Sequence, residues 1–242
     1  MDRYTLQQLM ENQPEAKLKD LVVTLLSQNI ISLNLKPGTR LNVNQLAAQL
    51  GISRTPVAEA VTALTEIGFV TSHSDQAGFF VRELSLNDMI SLYQVRDAIE
   101  SEAAFLCATN AEDSVIRELT HLADAFRDSV TLRDIRGMKD TDMPFHRLII
   151  DSCGNPYLVR SYEQILPHLT RYQASMLEFI GRGTNRSNPW LSNVKYNHVS
   201  VVSAIRMRLP ELARQTMTDH IASSLSFTSL SGEDADPFYS LR

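Results

Sequence analysis

Four residues in the second half of the chain are of the types that hold a transition metal. Asp142 and His146 stand four apart, so on a helix they share one face. His198 falls early in one helical stretch and His220 late in the next, with a turn near Leu209 between them. Two antiparallel helices joined there would set the two imidazoles side by side. One carboxylate and three imidazoles suit Zn, Ni, Fe or Co. The neighbours Phe145, Leu148, Val199, Val202 and Ile221 are apolar and would shield a charged site. A second reading stays open. Sequence-distant histidines also stand singly on surfaces or at helix ends, and His220 near a helix C-terminus is stable there without a metal. Pro144, between Asp142 and His146, kinks or starts a helix, so the spacing alone does not guarantee their geometry. His121 and His168 indicate no ligand cluster of their own.

A metal so held could activate water. The partners of that chemistry are missing: no Glu stands as in His-Glu-x-x-His, no Gly-x-Ser-x-Gly marks a nucleophile, and no glycine-rich loop cradles phosphate. An enzyme is therefore not expected, and a metalloenzyme is the weaker alternative.

The second chemical signal lies at Gln45-Leu46-Ala47-Ala48-Gln49-Leu50-Gly51-Ile52-Ser53-Arg54-Thr55-Pro56-Val57. Leu46, Ala47 and Leu50 make an apolar helix face. Gly51 ends that helix, Ser53 caps the next, and Pro56 is tolerated in its first turn. Arg54 and Thr55 then project from a helix N-terminus, where they can donate to phosphates and base edges. This is a helix-turn-helix pattern, with Arg40, Asn44, Ser53, Arg54 and Thr55 as candidate DNA contacts. An ordinary helical hairpin is the alternative.

The flanking elements fit. Residues 14–31 read as an amphipathic helix through Leu18, Leu21, Val22, Leu25, Leu26 and Ile30. Residues 35–41 read as a turn, and a recognition helix runs from Arg54 to Ile67. Phe69–Ser72 and Gly78–Arg82 read as a two-stranded wing around a polar turn that holds His73, a further candidate DNA contact. Residues 1–82 carry seven basic and seven acidic residues, and none of the acids falls between Asp20 and Glu59. Lys36, Arg40 and Arg54 do fall there. A phosphate backbone would meet no like charge on that face, although the net charge of −5 excludes a polybasic nucleic-acid binder.

After Arg82 the periodicity is helical to about Ser226, with helices expected near 86–109, 111–129, 131–152, 155–179, 193–207 and 209–226. Gly181–Pro189 is a long loop and a candidate mobile segment. The fold class is mostly α: a winged helix-turn-helix over 1–82, an all-α bundle over 83–230 with a site between facing helices, and a polar tail over 231–242. The first residues are polar and no run reaches the roughly 18 apolar residues of a membrane span, so a cytoplasmic protein without a membrane partner is expected. Cys107 and Cys153 read as buried apolar residues in a reducing compartment.

Together these residues resemble bacterial GntR-family transcription regulators of the FadR type with an FCD-class C-terminal domain. The resemblance rests on Leu35-Lys36-Pro37-Gly38-Thr39-Arg40-Leu41, on Leu46-Ala47, on Leu50 through Val57, and on Gly68-Phe69-Val70 and Gly78-Phe79-Phe80-Val81. In the second domain it rests on Leu92-Tyr93-Gln94-Val95-Arg96, Ile99-Glu100, Asp142, Phe145-His146, His198, Ala204-Ile205, Met217 and His220-Ile221. It implies a homodimeric repressor that binds double-stranded operator DNA. It implies Asp142, His146, His198 and His220 as ligands of a divalent metal, Zn or Ni foremost, which helps hold a small carboxylate or sugar-acid effector. A plain metal-responsive regulator is the alternative. Arg96 matches a family arginine near that pocket and could pair with the effector's carboxylate; a structural ion pair with Glu100 is the other reading. Leu92, Val95 and Ile99 could serve a dimer or the core. The chain departs from the family at Ala58, where Arg is common, and in its wing, which lacks the usual Arg and extra Gly. Either its operator differs from the family's common one, or its nonspecific affinity is lower and Arg40, Asn44, Arg54 and Thr55 carry more of the binding.

Overall fold

The computed structural model describes residues 2–72, 78–182, 191 and 194–225. The described residues through Leu84 form one compact unit and those from Ser85 a second.

In the first unit, α1 (Arg3–Asn12) is capped by Asp2, whose carboxylate accepts the Thr5 N–H at 3.0 Å. Sequence periodicity did not indicate this helix, although Leu6 is buried beneath it. Next come α2 (Leu18–Ile31), β1 (Arg40–Leu41), α3 (Val43–Leu50), α4 (Arg54–Ile67), β2 (Val70–Ser72) and β3 (Phe79–Val81). The helix expected from residue 14 starts at Leu18, because Lys17 is extended with ψ 141°. The expected turn at 35–41 ends in a strand. Arg40 and Leu41 pair antiparallel with Phe80 and Phe79, so the sheet has three strands in the order β1-β3-β2. Leu21, Leu25, Leu26 and Ile30 of α2 pack against Leu46 and Leu50 of α3 and Val57, Val61 and Leu64 of α4. That core fixes the α3–α4 turn.

The turn itself depends on Gly51, at φ +67° and ψ 33°. A side chain there would take left-handed backbone and meet the Arg3 side chain, whose Cδ lies 3.0 Å from the position of a Cβ. Asn42 caps α3 by accepting the Gln45 N–H at 3.1 Å.

The second unit is helical throughout its described residues: α5 (Leu86–Asn110), α6 (Asp113–Leu132), α7 (Ile135–Ser152), α8 (Pro156–Arg182), α9 (Asn197–Arg206) and α10 (Pro210–Leu225). Ser85 caps α5 by accepting the Asp88 N–H at 3.1 Å, and Asn155 caps α8 by accepting the Tyr157 N–H at 3.0 Å. The long α5 is central, packing on α10, α7, α8 and α9. The expected fourth helix runs on to Arg182, and most of the loop after it lies outside the described residues, as does the tail from residue 226. Among the described residues no helix is long and apolar enough to cross a membrane. Cys107 and Cys153 are buried and free, and burial pushes the Cys107 thiol up to about 12.

Gly51→Val is expected to cost about 1–2 kcal/mol, the penalty of left-handed backbone for an L side chain. A urea midpoint unchanged from the parent protein would contradict that account of the turn.

Candidate functional site

α7 passes through Pro144 without breaking, spanning Ile135–Ser152. Asp142 and His146 therefore do share a face, with Asp142 Oδ1 3.8 Å from His146 Nε2. α9 brings His198 and α10 brings His220 to the same point. Their rings lie 4.6 Å apart, centre to centre, as expected of two helices joined by a short turn. His146 Nε2 lies 3.3 Å from His198 Nε2 and 3.1 Å from His220 Nε2, and His198 Nε2 lies 3.3 Å from Asp142 Oδ1. One donor atom from each of the four falls within 4.8 Å of all the others. Ligands about 2.0–2.2 Å from one ion stand roughly 3.0–3.5 Å from each other, so the donor set fits a single first-row divalent cation.

The surroundings keep these donors in metal-binding form. All three rings are buried, and Asp142 keeps 18 % of its side chain exposed. Burial lowers the His198 pKa against the pull of Asp142, and lowers that of His220 well below its ordinary value, with His198, His146 and Arg96 adding to the effect. Burial opposes ionisation of Asp142, but His198, His146 and Arg96 outweigh it and hold the carboxyl well below the usual range. Near neutral pH the site thus offers unprotonated His198 and His220 rings and one carboxylate. Phe145 stacks on the His198 ring at 4.1 Å and Phe126 lies 4.3 Å from it. Val202 and Ile221 are buried as expected, whereas Leu148 and Val199 are only half-buried, so the unforeseen Phe126 takes up much of the shielding.

Behind the rings stands Glu100, with no exposed surface. Its Oε2 lies 2.5 Å from His146 Nδ1 and its Oε1 accepts Arg96 Nε at 2.7 Å. Burial works against its charge, but Arg96 and His146 hold its pKa below the ordinary value. A carboxylate on Nδ1 fixes the tautomer that leaves the Nε2 lone pair free, the arrangement that orients metal-ligating histidines. The sequence shows Glu100 only as a partner of Arg96, since nothing in its spacing announces a contact with a residue 46 positions away. Of the two parts open to Arg96, the ion pair with Glu100 is present. Its Nε holds Glu100, its Nη2 is buried without a hydrogen-bond partner, and the residue lines a cavity between the helices. Asp142 and His220 line the same cavity with Tyr93, Gln173 and Ser224, and Gln173 Nε2 donates to Asp142 Oδ2 at 2.6 Å. Of the residues left open between core and dimer, Ile99 is buried and Val95 is 46 % exposed.

In the first unit, Arg54 and Thr55 open α4 and are exposed, as are Asn44 on α3 and Arg40 on β1. Ser53 takes the cap position but makes no side-chain capping bond, so its expected role as hydrogen-bonding cap is not realised. Arg40 reaches the wing: its Nε lies 3.1 Å from the position of a Cβ on Gly78. It brings a further positive charge beside the wing. Beyond Thr55 the exposed face of α4 carries Ala58, Glu59, Thr62 and Glu66, so acidic groups confine favourable phosphate contact to its first turn. His73 lies outside the described residues.

A winged helix-turn-helix joined in one chain to a helical domain with a cavity and a His/Asp cluster defines a ligand-responsive regulator class. The profile described as "Bacterial regulatory proteins, gntR family" matches residues 18–81, and that of the FCD domain matches residues 91–223. The chain belongs to the GntR family of transcription regulators and carries an FCD domain. It is 34 % identical over 141 residues to the Nta operon transcriptional regulator of Aminobacter aminovorans, covering 56 % of this chain and 63 % of that one. It is 26 % identical over 221 residues to the "Probable D-xylose utilization operon transcriptional repressor" of Paenarthrobacter nicotinovorans, covering 91 % of each. Among solved structures, E. coli McbR/YncC shares the fold with a TM-score of 0.68 at 22 % identity, over 89 % of this chain and 98 % of that one. These matches are to regulators and support a protein that is not an enzyme. GntR-family domains bind DNA operators, and FCD domains bind small-molecule effectors and metal.

Two outcomes are expected. Glu100→Gln should weaken Zn or Ni binding about 10–100-fold in competition with a chelating dye, the range for loss of a carboxylate behind a ligating ring; unchanged affinity would show that Glu100 does not orient His146. His198 and His220 have folded pKa values below the unfolded 6.5, so the unfolded chain binds more protons. Their contribution to stability is complete above pH 6.5 and is lost as the pH falls through their lower folded values. In chelator, the melting temperature should therefore fall below pH 6.5, and a flat profile down to pH 5 would contradict the burial of neutral rings.

Proposed function

We propose that this chain is an operator-binding repressor of the bacterial cytoplasm, working as a homodimer and controlled by a small organic acid in a metal-containing pocket. Residues 1–82 form the DNA-binding domain, 83–230 the effector-binding and dimerisation domain, and 231–242 a tail. The observation that carries this reading is the convergence of Asp142, His146, His198 and His220 at the edge of a cavity lined by Arg96. Those four would hold the ion, with Zn or Ni best suited to three imidazoles and one carboxylate. Bound there, the ion supplies positive charge beside the cavity. Arg96 presents Nη2 to an anion while its Nε keeps Glu100, and through it His146, in place. A ligand between α5, α7, α8 and α10 would favour one packing of the bundle, and a dimer would translate that preference into the spacing of two recognition helices on two half-sites.

On the DNA side, Arg54, Thr55 and Ser53 at the start of α4 would enter the major groove. Asn44 and Arg40 would contact the backbone, and His73, outside the described residues, is a further candidate contact.

A gel shift with the DNA upstream of the chain's own coding region tests the reading. Binding should be sequence-dependent and fall linearly in log K against log salt. Arg54→Ala should weaken it by about 1–3 kcal/mol if Arg54 reads a base. The absence of salt-sensitive, sequence-dependent binding under every metal and ligand condition would refute it.

A further inference from the structure

The cavity walls discriminate between kinds of acid. Among the described residues, seven of its thirteen lining side chains are thioether or hydrocarbon, Met138, Met143, Met176, Leu169 and Leu177 among them. The six polar side chains are mostly committed, Asp142 and His220 to the donor cluster. The Tyr93 hydroxyl points to Met176 Sδ at 3.8 Å, Gln173 Nε2 donates to Asp142, and Ser224 Oγ donates to the His220 carbonyl at 3.2 Å. Among the lining residues, Arg96 Nη2 and His220 Nδ1 are buried without a hydrogen-bond partner, and of the two only the guanidinium carries a fixed positive charge.

We propose that the effector is a small monocarboxylate with an apolar body, rather than a polyhydroxylated sugar acid or a di- or tricarboxylate. This rests on the effector reading above and narrows it. Two features carry it. The first is hydrogen-bonding capacity. A sugar acid would bring a row of hydroxyls against methionine and leucine side chains that cannot answer them, and an unanswered buried hydroxyl opposes binding. An aliphatic or aryl body meets that wall favourably, and methionine adapts its shape to either. The second is charge. Arg96 is offset by Glu100, and Asp142 removes one of the two positive charges of a divalent ion, so the lining and its direct partners leave one positive charge. A single carboxylate neutralises it. A second carboxylate would be buried without a counter-charge, which is costly in an apolar cavity.

The test is calorimetric titration of the full chain loaded with Zn or Ni, using hexanoate, phenylacetate, gluconate and citrate as probes, with melting temperature as a second readout. Hexanoate or phenylacetate should bind at least tenfold tighter than gluconate and citrate. Met176→Gln, which puts an amide in the wall at nearly constant volume, should weaken hexanoate and phenylacetate at least fivefold. Preference for gluconate or citrate would overturn this inference while leaving an acid effector in place. Binding by none of the four at millimolar concentration would overturn both. Tight hexanoate or phenylacetate binding that Met176→Gln leaves unchanged would place the ligand outside this cavity and overturn the assignment. If the variant does not fold, the ranking of the four acids on the parent protein still decides.

Discussion

Glu100 carries a full charge with no exposed surface, and the second unit is organised around meeting that demand. An isolated carboxylate in such a place would be expelled or neutralised. Here Arg96, one turn earlier on α5, takes one oxygen and His146, from α7, takes the other. The pairing fixes the register of α7 against α5, because a shift of one residue would carry His146 to another face and leave Glu100 with a single partner. With α7 fixed, Asp142 is fixed as well. α9 and α10, packed on α5, then deliver His198 and His220 to the same point. Breaking such a buried arrangement by removing one partner is far more damaging than the net stability it confers.

Much of this was readable in the residues. The i, i+4 interval of Asp142 and His146, and the near-equal distances of His198 and His220 from Leu209, suggested the four donors, and the family resemblance was needed to join them into one set. The turn at Gly51 was legible because only one residue type takes that backbone cheaply. Glu100 was visible only as half of an ion pair. Contact between α5 and α7 is a property of packing, and no local spacing encodes it. Phe126 and Gln173 escaped for the same reason. The missed α1 is a different case, since its polar composition hides a short apolar side that matters only once α2 is present to cover it. The short β1 strand went unrecognised because two residues give no alternation to read.

The reading head and the sensor domain differ in how closely they follow their relatives. The helix-turn-helix departs at Ala58 and in its wing, and Arg40 standing beside Gly78 offsets part of that loss from a different strand. The His/Asp cluster brings together all four of the donors that the family resemblance implies. A scaffold that holds the charged floor constant and changes the lining can be retargeted to new acids without rebuilding the site that recognises the acid group.

Pro144 has a mechanical consequence. Lacking an N–H, it leaves the Asp140 carbonyl without its rung in the α7 ladder, so this turn is the most compliant stretch of that helix. Asp142 and His146 straddle that missing rung. A ligand that ties the two side chains together closes from the side what the backbone leaves open along the axis, and splinting the helix at its weakest turn would make the bundle's stiffness depend on what the four donors hold.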